Sequence, residues 1–174
     1  MFTLQAKDSD VNGNASGFIG QYAHGNEPSH HVAYLYNYSG QPWKTQFYTH
    51  KIMNELYDNT VTGLSGNEDC GQMSAWYIFS AMGFYPVNPA SGVYVIGSPQ
   101  LKQTTIRLAP GKTFTIHVTN AGKPYISSVK LNGQPYTRTY IAHSDIEKGG
   151  LLEFVMSDEP NTEWGVKTID RPVK

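Results

Sequence analysis

The spacing of apolar positions changes character part-way along the chain. Up to about Gly92 they recur at helical intervals; beyond it they alternate in short runs separated by Gly, Pro and Asn. The segment 29–40, "SHHVAYLYNYSG", predicts a short helix with Ser29 as N-cap and Gly40 as terminator. The segment 41–60 predicts a second helix. Pro42 suits its first turn, and Trp43, Phe47, Ile52 and Leu56 approximate an apolar stripe. The segment 68–84, "EDCGQMSAWYIFSAMGF", predicts a third, closed by Gly83 and then Pro86. This helix has no polar face worth the name, since Trp76, Tyr77, Ile78, Phe79, Ala81, Met82 and Phe84 crowd it. A helix apolar all round is buried on all sides, so its surroundings should include helices beyond these three.

After Gly92 the runs "VYVIG", "TTIRLA", "TFTIHV", "ISSVKLN", "TRTYIA" and "LLEFVM" read as short strands. The clearest hairpin is "VKLNGQPYTRTYI", with Asn132-Gly133 as its turn. Helices first and strands afterwards predict an α+β chain: residues 1–91 helical, residues 92–174 a small antiparallel β-rich subdomain.

Composition narrows the function classes. The 174 residues carry a net charge of −1 with no basic block, which argues against nucleic-acid and membrane-surface binding. No apolar run approaches the roughly 18 residues of a membrane span. The polar, Gly/Asn-rich opening shows neither helix start nor signal-peptide layout, and reads like the interior of a longer protein. Cys70 is the lone cysteine, so neither an internal disulfide nor a cysteine zinc cage is available. Twelve Tyr, 7 Phe and 3 Trp suit either a sugar-binding surface or an aromatic core.

Two clusters carry candidate chemistry. In "GNEDCGQMSAW", Asn67, Glu68 and Asp69 stand at the predicted start of the third helix. Asn67 could cap it, and the acids could face its positive end, which would keep Asp69 ionised as a base that activates water must be. Gly71 inside the first turn costs about 1 kcal/mol against Ala, which suggests close approach by a ligand or another backbone. In "HGNEPSHH", His24, Asn26, Glu27, His30 and His31 offer nitrogen and oxygen ligands. Their spacing matches no zinc signature; a hard cation such as calcium would prefer Glu27, the Asn26 amide and carbonyls. An ordinary helix with Glu27 as a capping acid fits the spacing equally well.

These strings, with "QPWKTQ" and "GFYPVNPASGVYVIGSP", resemble the C-terminal part of glycoside hydrolase family 92, over residues 18–164. The family comprises calcium-dependent, exo-acting α-mannosidases that invert the anomeric centre, with an N-terminal β-sandwich packed on an (α/α)6 barrel. The resemblance implies that residues 1–91 are the last barrel helices and residues 92–174 a β-rich cap. It implies that Asp69 is the base, with Asn67 where the family carries the first acid of an Asp-x-Asp pair and Glu68 between them. Asn26 and Glu27 match the stretch beside calcium and the terminal mannose. His24 and Gly25 match positions that read the next sugar, and many α-1,2 enzymes have Glu where this chain has Gly25.

Inverting hydrolysis also needs a general acid, with the carboxyls roughly 6.5–9.5 Å apart. In the family this is a Glu upstream of "HGNEP", yet no Glu precedes Glu27 here, and Asp8 and Asp10 match no acid motif. The resemblance therefore implies that the separate chain does not turn over substrate, that it self-associates through orphaned helix faces, and that the parent enzyme is secreted or periplasmic. A carbohydrate-binding module, or a structural piece whose acids only cap a helix, are the competing readings.

Overall fold

The computed structural model describes residues 1–5 and 15–172; Asp8 and Asp10 lie outside them. A two-residue hairpin pair, β1 (Phe18–Ile19) and β2 (Tyr22–Ala23), is followed by 3-10 turns at Glu27–Ser29 and Val32–Tyr34 and a single α-turn, α1 (Leu35–Tyr38). The predicted helix over 29–40 is therefore broken into short turns. Ser29 does not cap it, because its hydroxyl donates to the carbonyls of Ala23 and Asn26 at 2.6 and 2.8 Å and cinches the loop before it. Gly40 does end the segment, at φ 76°.

Helix α2 (Pro42–Glu55) starts on Pro42 as expected but stops earlier than 60. Its buried face shares Ile52 and part of Leu56 with the predicted stripe but not Phe47. Thr45, Gln46, Thr49, Ile52 and Met53 point inward, while Phe47 is 42% exposed. Gln46 is drawn in because its Oε1 accepts the backbone N–H of Ile126 at 3.0 Å, docking the helix on a strand, while the Thr49 hydroxyl donates back to the Thr45 carbonyl at 2.8 Å. Helix α3 (Gln72–Met82) ends on Gly83 at φ 111°. It begins later than 68, since Asp69, Cys70 and Gly71 all have left-handed φ, at 44°, 58° and 90°. Met73, Trp76, Ser80 and Ala81 are buried. Ile78 on the opposite side is 56% exposed, so α3 is not buried all round by the described residues.

Besides the short β1–β2 pair, the strand-rich part begins at Phe84 rather than after Gly92. β3 (Phe84–Asn88), β4 (Val93–Ile96) and β9 (Tyr140–Ala142) form one antiparallel sheet with β4 central. Pro86 sits inside β3 instead of stopping the chain, as an edge strand with a register shift between Tyr85 and Asn88 allows. β5 (Gln103–Leu108), β6 (Lys112–Thr119), β7 (Tyr125–Leu131), β8 (Gln134–Pro135) and β10 (Gly150–Ser157) form the second sheet, in the order β5-β6-β10-β7-β8. It is mixed rather than purely antiparallel, because β6 and β10 run parallel; the chain between them, including α4 (His143–Glu147), makes the return. The Asn132-Gly133 turn joins β7 to β8 with φ 51° and 78°, the pair of positive angles a tight type I′ hairpin needs.

The three-stranded sheet separates two cores, because successive residues point to opposite faces. Val95 packs with Tyr34, Ile52, Met53 and Trp76 on the helical side, with Tyr85 and Val87 against them. Its neighbour Ile96 joins Phe84, Ile141, Phe114, Phe154 and Leu152 between the two sheets. Asn37 pins the helical half to this middle layer: its buried amide donates to the carbonyls of Ile96 at 2.7 Å and Thr139 at 3.1 Å. Asn37→Ala should destabilise the protein by roughly 2–4 kcal/mol in urea unfolding, since it strips two buried carbonyls of a donor at once. A change below about 0.5 kcal/mol would mean that apolar packing alone holds the layers.

Candidate functional site

The two sequence clusters meet. Gly25, Asn26 and Glu27 form one wall of a polar cleft of about 450 Å³, and Asn67 and Asp69 form the other, with Ser16 and Gly66 at its base. Gly25 exists to let the walls approach. A Cβ there would lie 1.9 Å from the Ser65 carbonyl oxygen and 2.1 Å from Ser16 Oγ, so no side chain fits. Ser16 fastens the same junction, donating to Ser65 O at 2.9 Å and accepting the N–H of Gly25 at 3.0 Å through its own carbonyl.

Asp69 is carried on the left-handed strap 69–71, which turns the chain sharply into α3. Asn67 does not cap that helix, and the cap position falls on Gly71 without a side-chain bond. Glu68 takes over the capping, accepting the N–H of Ser74 at 3.0 Å and its hydroxyl at 2.7 Å. It therefore faces the helix, not the cleft. Gly71 is required by its φ of 90°, not by a close neighbour, since a methyl group placed there would have Glu68 Oε1, 4.0 Å away, as its nearest heavy atom. Nor does the helix lower the pKa of Asp69. A hydrogen bond with the Glu27 carboxyl, with lesser contributions from local desolvation and from repulsion by that charge, raises it above the ordinary carboxylate value.

Oε1 of Glu27 is buried and has no hydrogen-bond partner among the described residues. An orphaned carboxylate oxygen in a cleft lined by amide and carboxylate oxygens fits a hard cation of the calcium type. The donor set is limited: among the described residues no three His, Cys, Asp or Glu cluster to hold a metal. Glu27 and Asn26 could serve only with carbonyls and water completing the shell.

Both ring nitrogens of His24 and of His30 are already engaged within the protein. His24 is fully buried beneath the cleft, where Nδ1 lies 2.8 Å from Tyr22 Oη and Nε2 2.6 Å from Tyr57 Oη. His30 Nε2 donates to the His24 carbonyl at 3.0 Å, leaving Nδ1 to accept from Gln72 Nε2 at 3.1 Å. The carbonyl partner fixes His30 as the Nε2–H tautomer. Burial, with the nearby His30 adding to it, pushes His24 down to about 3, and burial lowers His30 as well. Trp76 Nε1 completes the clamp by donating to the His30 carbonyl at 3.1 Å. His24 thus supports the wall that carries Gly25 to Glu27 and does not itself line the cleft; His31 is exposed. Sequence reasoning missed Tyr22, Tyr57 and Gln72. Gln72 lies within "GNEDCGQMSAW" and Tyr22 just before "HGNEPSHH", but their roles depend on partners distant in the chain or in a buried network that spacing does not record.

Residues 1–158 match the model of the glycosyl hydrolase family 92 catalytic domain. The chain belongs to glycoside hydrolase family 92. It superimposes on a family 92 α-mannosidase of Bacteroides thetaiotaomicron, solved in complex with mannoimidazole, with a TM-score of 0.92 and 45% identity over 99% of this chain and 23% of that one. A family 92 inverting mannosidase of the same organism matches with a TM-score of 0.83 and 49% identity, over 88% of this chain and 21% of its own. An uncharacterized secreted glycosidase of Arthroderma benhamiae is 35% identical over 153 residues, which is 85% of this chain and 20% of that protein. The chain therefore spans about a fifth of the length of these relatives. No helix among the described residues is long and apolar enough to cross a membrane.

The depressed His24 has a measurable consequence. Its folded pKa lies below the unfolded value of about 6.5, so the unfolded chain binds the extra proton in between. The stability it contributes is complete above about pH 6.5 and declines as pH falls from there toward 3. The unfolding midpoint in urea should fall between pH 7 and pH 4.5 while the His24 ring-carbon NMR shift stays flat. A His24 resonance titrating near 6.5 would show an accessible, solvated ring. At the junction above it, Gly25→Ala should cost roughly 1–3 kcal/mol by overpacking, read from the same urea curves.

Proposed function

We propose that this chain is part of a longer, secreted or periplasmic α-mannosidase of the inverting, exo-acting kind, and supplies one side of its active site. The observation that carries the proposal is the placement of Asp69 across a polar cleft from Glu27, in a member of a glycosidase family. Asp69 is exposed to the cleft, as a group that deprotonates water must be, and its raised pKa makes it a better proton acceptor once ionised. The attacking water is held against the Asp69 carboxylate, which takes its proton as oxygen attacks the anomeric carbon. The aglycone leaves from the opposite face, its oxygen protonated there by a general acid that the rest of the longer enzyme supplies, so the separate chain does not turn over substrate. Inversion follows from that single displacement. Asn67, beside Asp69, holds an amide where a second carboxylate would add charge, so it can orient water but cannot take a proton.

Glu27 and Asn26 are the residues that would hold calcium, which when bound supplies positive charge for the sugar hydroxyls and for the adjoining carboxylates. Gly25 and the segment above His24 border the space for the next sugar; because many α-1,2 enzymes carry Glu at that position, Gly25 widens the assignment from α-1,2 to α-1,2 or a related linkage. Helices α1 to α3 would close an (α/α)6 barrel with residues 92–174 as its cap. The substrates are then terminal α-mannosides of glycans. Exposed Ile78 and Val61 on the helical half support both contact with the rest of the enzyme and self-association of the separate chain. The cleft lies in the helical half, which favours this reading over a β-rich sugar-binding module.

In the longest encoded polypeptide containing this segment, Asp69→Asn should lower kcat on an aryl α-mannoside by roughly 10²–10⁴-fold with KM and the unfolding midpoint little changed. Activity should also fall with a calcium chelator and return with added calcium. Retention of more than half the activity by Asp69→Asn would remove Asp69 from the chemistry.

A further inference from the structure

One hydroxyl outside both motifs joins the segments that form the cleft. Tyr57 lies just past the end of α2 and pairs with Leu64 in an isolated antiparallel bridge, so it anchors the loop that leads on to Gly66 and Asn67. Its hydroxyl donates to the carbonyl of Met73 at 3.1 Å, in the first turn of α3 directly after the strap bearing Asp69. A hydroxyl has one proton, so the 2.6 Å contact with His24 requires the imidazole Nε2–H to donate to it. His24 in turn precedes Gly25, Asn26 and Glu27 in the opposite wall. The ring is held as firmly as the hydroxyl: it lies parallel to Trp76 at 6.0 Å, edge-on to His24 at 5.3 Å, and against Tyr77 at 4.9 Å.

We propose that Tyr57 is a positioning residue for the hydrolysis, its hydroxyl setting the separation and relative aim of the Glu27 and Asp69 carboxyls by joining His24 to Met73. The inference rests on the reading of Asp69 as the base. Its logic is one of substitutes. Nδ1 of His24 is already occupied by Tyr22, and the carbonyl of His24 by His30, so the imidazole cannot rotate to find another acceptor without breaking a second bond. Without the oxygen, the buried Nε2–H of His24 is left facing apolar rings, and the Met73 carbonyl keeps only its helical partner, so this tie between the two walls is gone. The local remedy is for a water to enter or for the two walls to shift apart, and a displacement of about 1 Å in a catalytic group can lower a rate by about 10²-fold. Burial keeps the Tyr57 phenol protonated across the working pH range, so the link persists wherever the fold does.

The test is Tyr57→Phe in the longest encoded polypeptide, with Tyr77→Phe as the control in the same ring cluster and Asp69→Asn in parallel. Tyr57→Phe should lower kcat on an aryl α-mannoside by roughly 10–100-fold while KM moves by less than about threefold, because the chemistry needs both walls in register. Amide hydrogen exchange should accelerate about tenfold in residues 25–27 and 67–71 and stay unchanged in β6 and β10. Tyr77→Phe should do neither. A kcat within twofold of the unmodified enzyme, or unaltered exchange in the two walls, overturns the proposal. If Asp69→Asn remains active, the base reading fails by itself and the exchange data still judge Tyr57. Should Tyr57→Phe not fold, the unmodified protein decides: ¹⁵N-histidine NMR should show a slowly exchanging His24 Nε2–H, and a fast-exchanging or Nδ1-protonated ring overturns the link.

Discussion

His24 lies in an apolar core with a tyrosine hydroxyl on each ring nitrogen, and the cleft above it is assembled around that ring. A buried imidazole with unpaired nitrogens would cost on the order of 2–7 kcal/mol per missing partner, by the reference scale for polar groups in apolar surroundings. The fold therefore has to deliver two hydroxyls to one ring from different places in the chain. Tyr22 comes from the hairpin before it, and Tyr57 from beyond α2. His30 then closes a second circuit through the His24 carbonyl, Gln72 and Tyr85. Because each donor has one acceptor, the network has a single arrangement, and the segments that carry the acids inherit its geometry.

Two opposing demands meet on this platform. Stability favours keeping Glu27 and Asp69 apart or neutral, since like charges at hydrogen-bonding range resist joint ionisation. Catalysis by water activation requires Asp69 to be charged. The strap at 69–71 shows how far the chain goes to hold the pair together: two non-glycine residues in succession adopt left-handed φ, a conformation that costs of order 1–3 kcal/mol at each position. Glu68 offsets part of that by capping Ser74, so the middle acid of the cluster is committed to the helix and only the outer positions face the cleft. Strain concentrated at the proposed reacting group, with compensation immediately beside it, is the distribution expected of a site and not of a simple helix start.

Periodicity located α2 and α3, the Asn132-Gly133 hairpin and the strand-rich second half. It missed part of the face of α2, because Gln46 is buried by a hydrogen bond to a strand and Thr49 by bonds back to its own helix, which a hydrophobic count does not register. It also missed the parallel pairing of β6 with β10, since strand direction is settled by the return path and not by composition. At the site, the motifs led to Gly25, Asn26, Glu27, Asn67 and Asp69, which the fold brings to one cleft. The roles of Glu68, Gly71 and His24 were illegible for a physical reason. Each depends on a backbone angle or a partner distant in sequence, and local spacing records neither.

The strand-rich half bears on the cleft through the middle sheet. Helices α2 and α3 cannot bury Trp76 and Met53 by themselves; Val95 and Tyr85 finish that core from the sheet side. Ser80 binds the Tyr34 hydroxyl at 2.8 Å and Trp76 binds His30, so any shift of the sheet against α3 is felt at the histidine pair. Asn37 and Gln46, both buried, tie the helical half by bonds to backbone, Asn37 to the middle sheet and Gln46 to β7 of the five-stranded sheet. Buried polar joints of this kind add little net stability but penalise every other docking angle, because a misplaced layer leaves their partners unpaired. The second half of the chain thus acts on the cleft by fixing where α3 can lie, and through α3 where Asp69 stands.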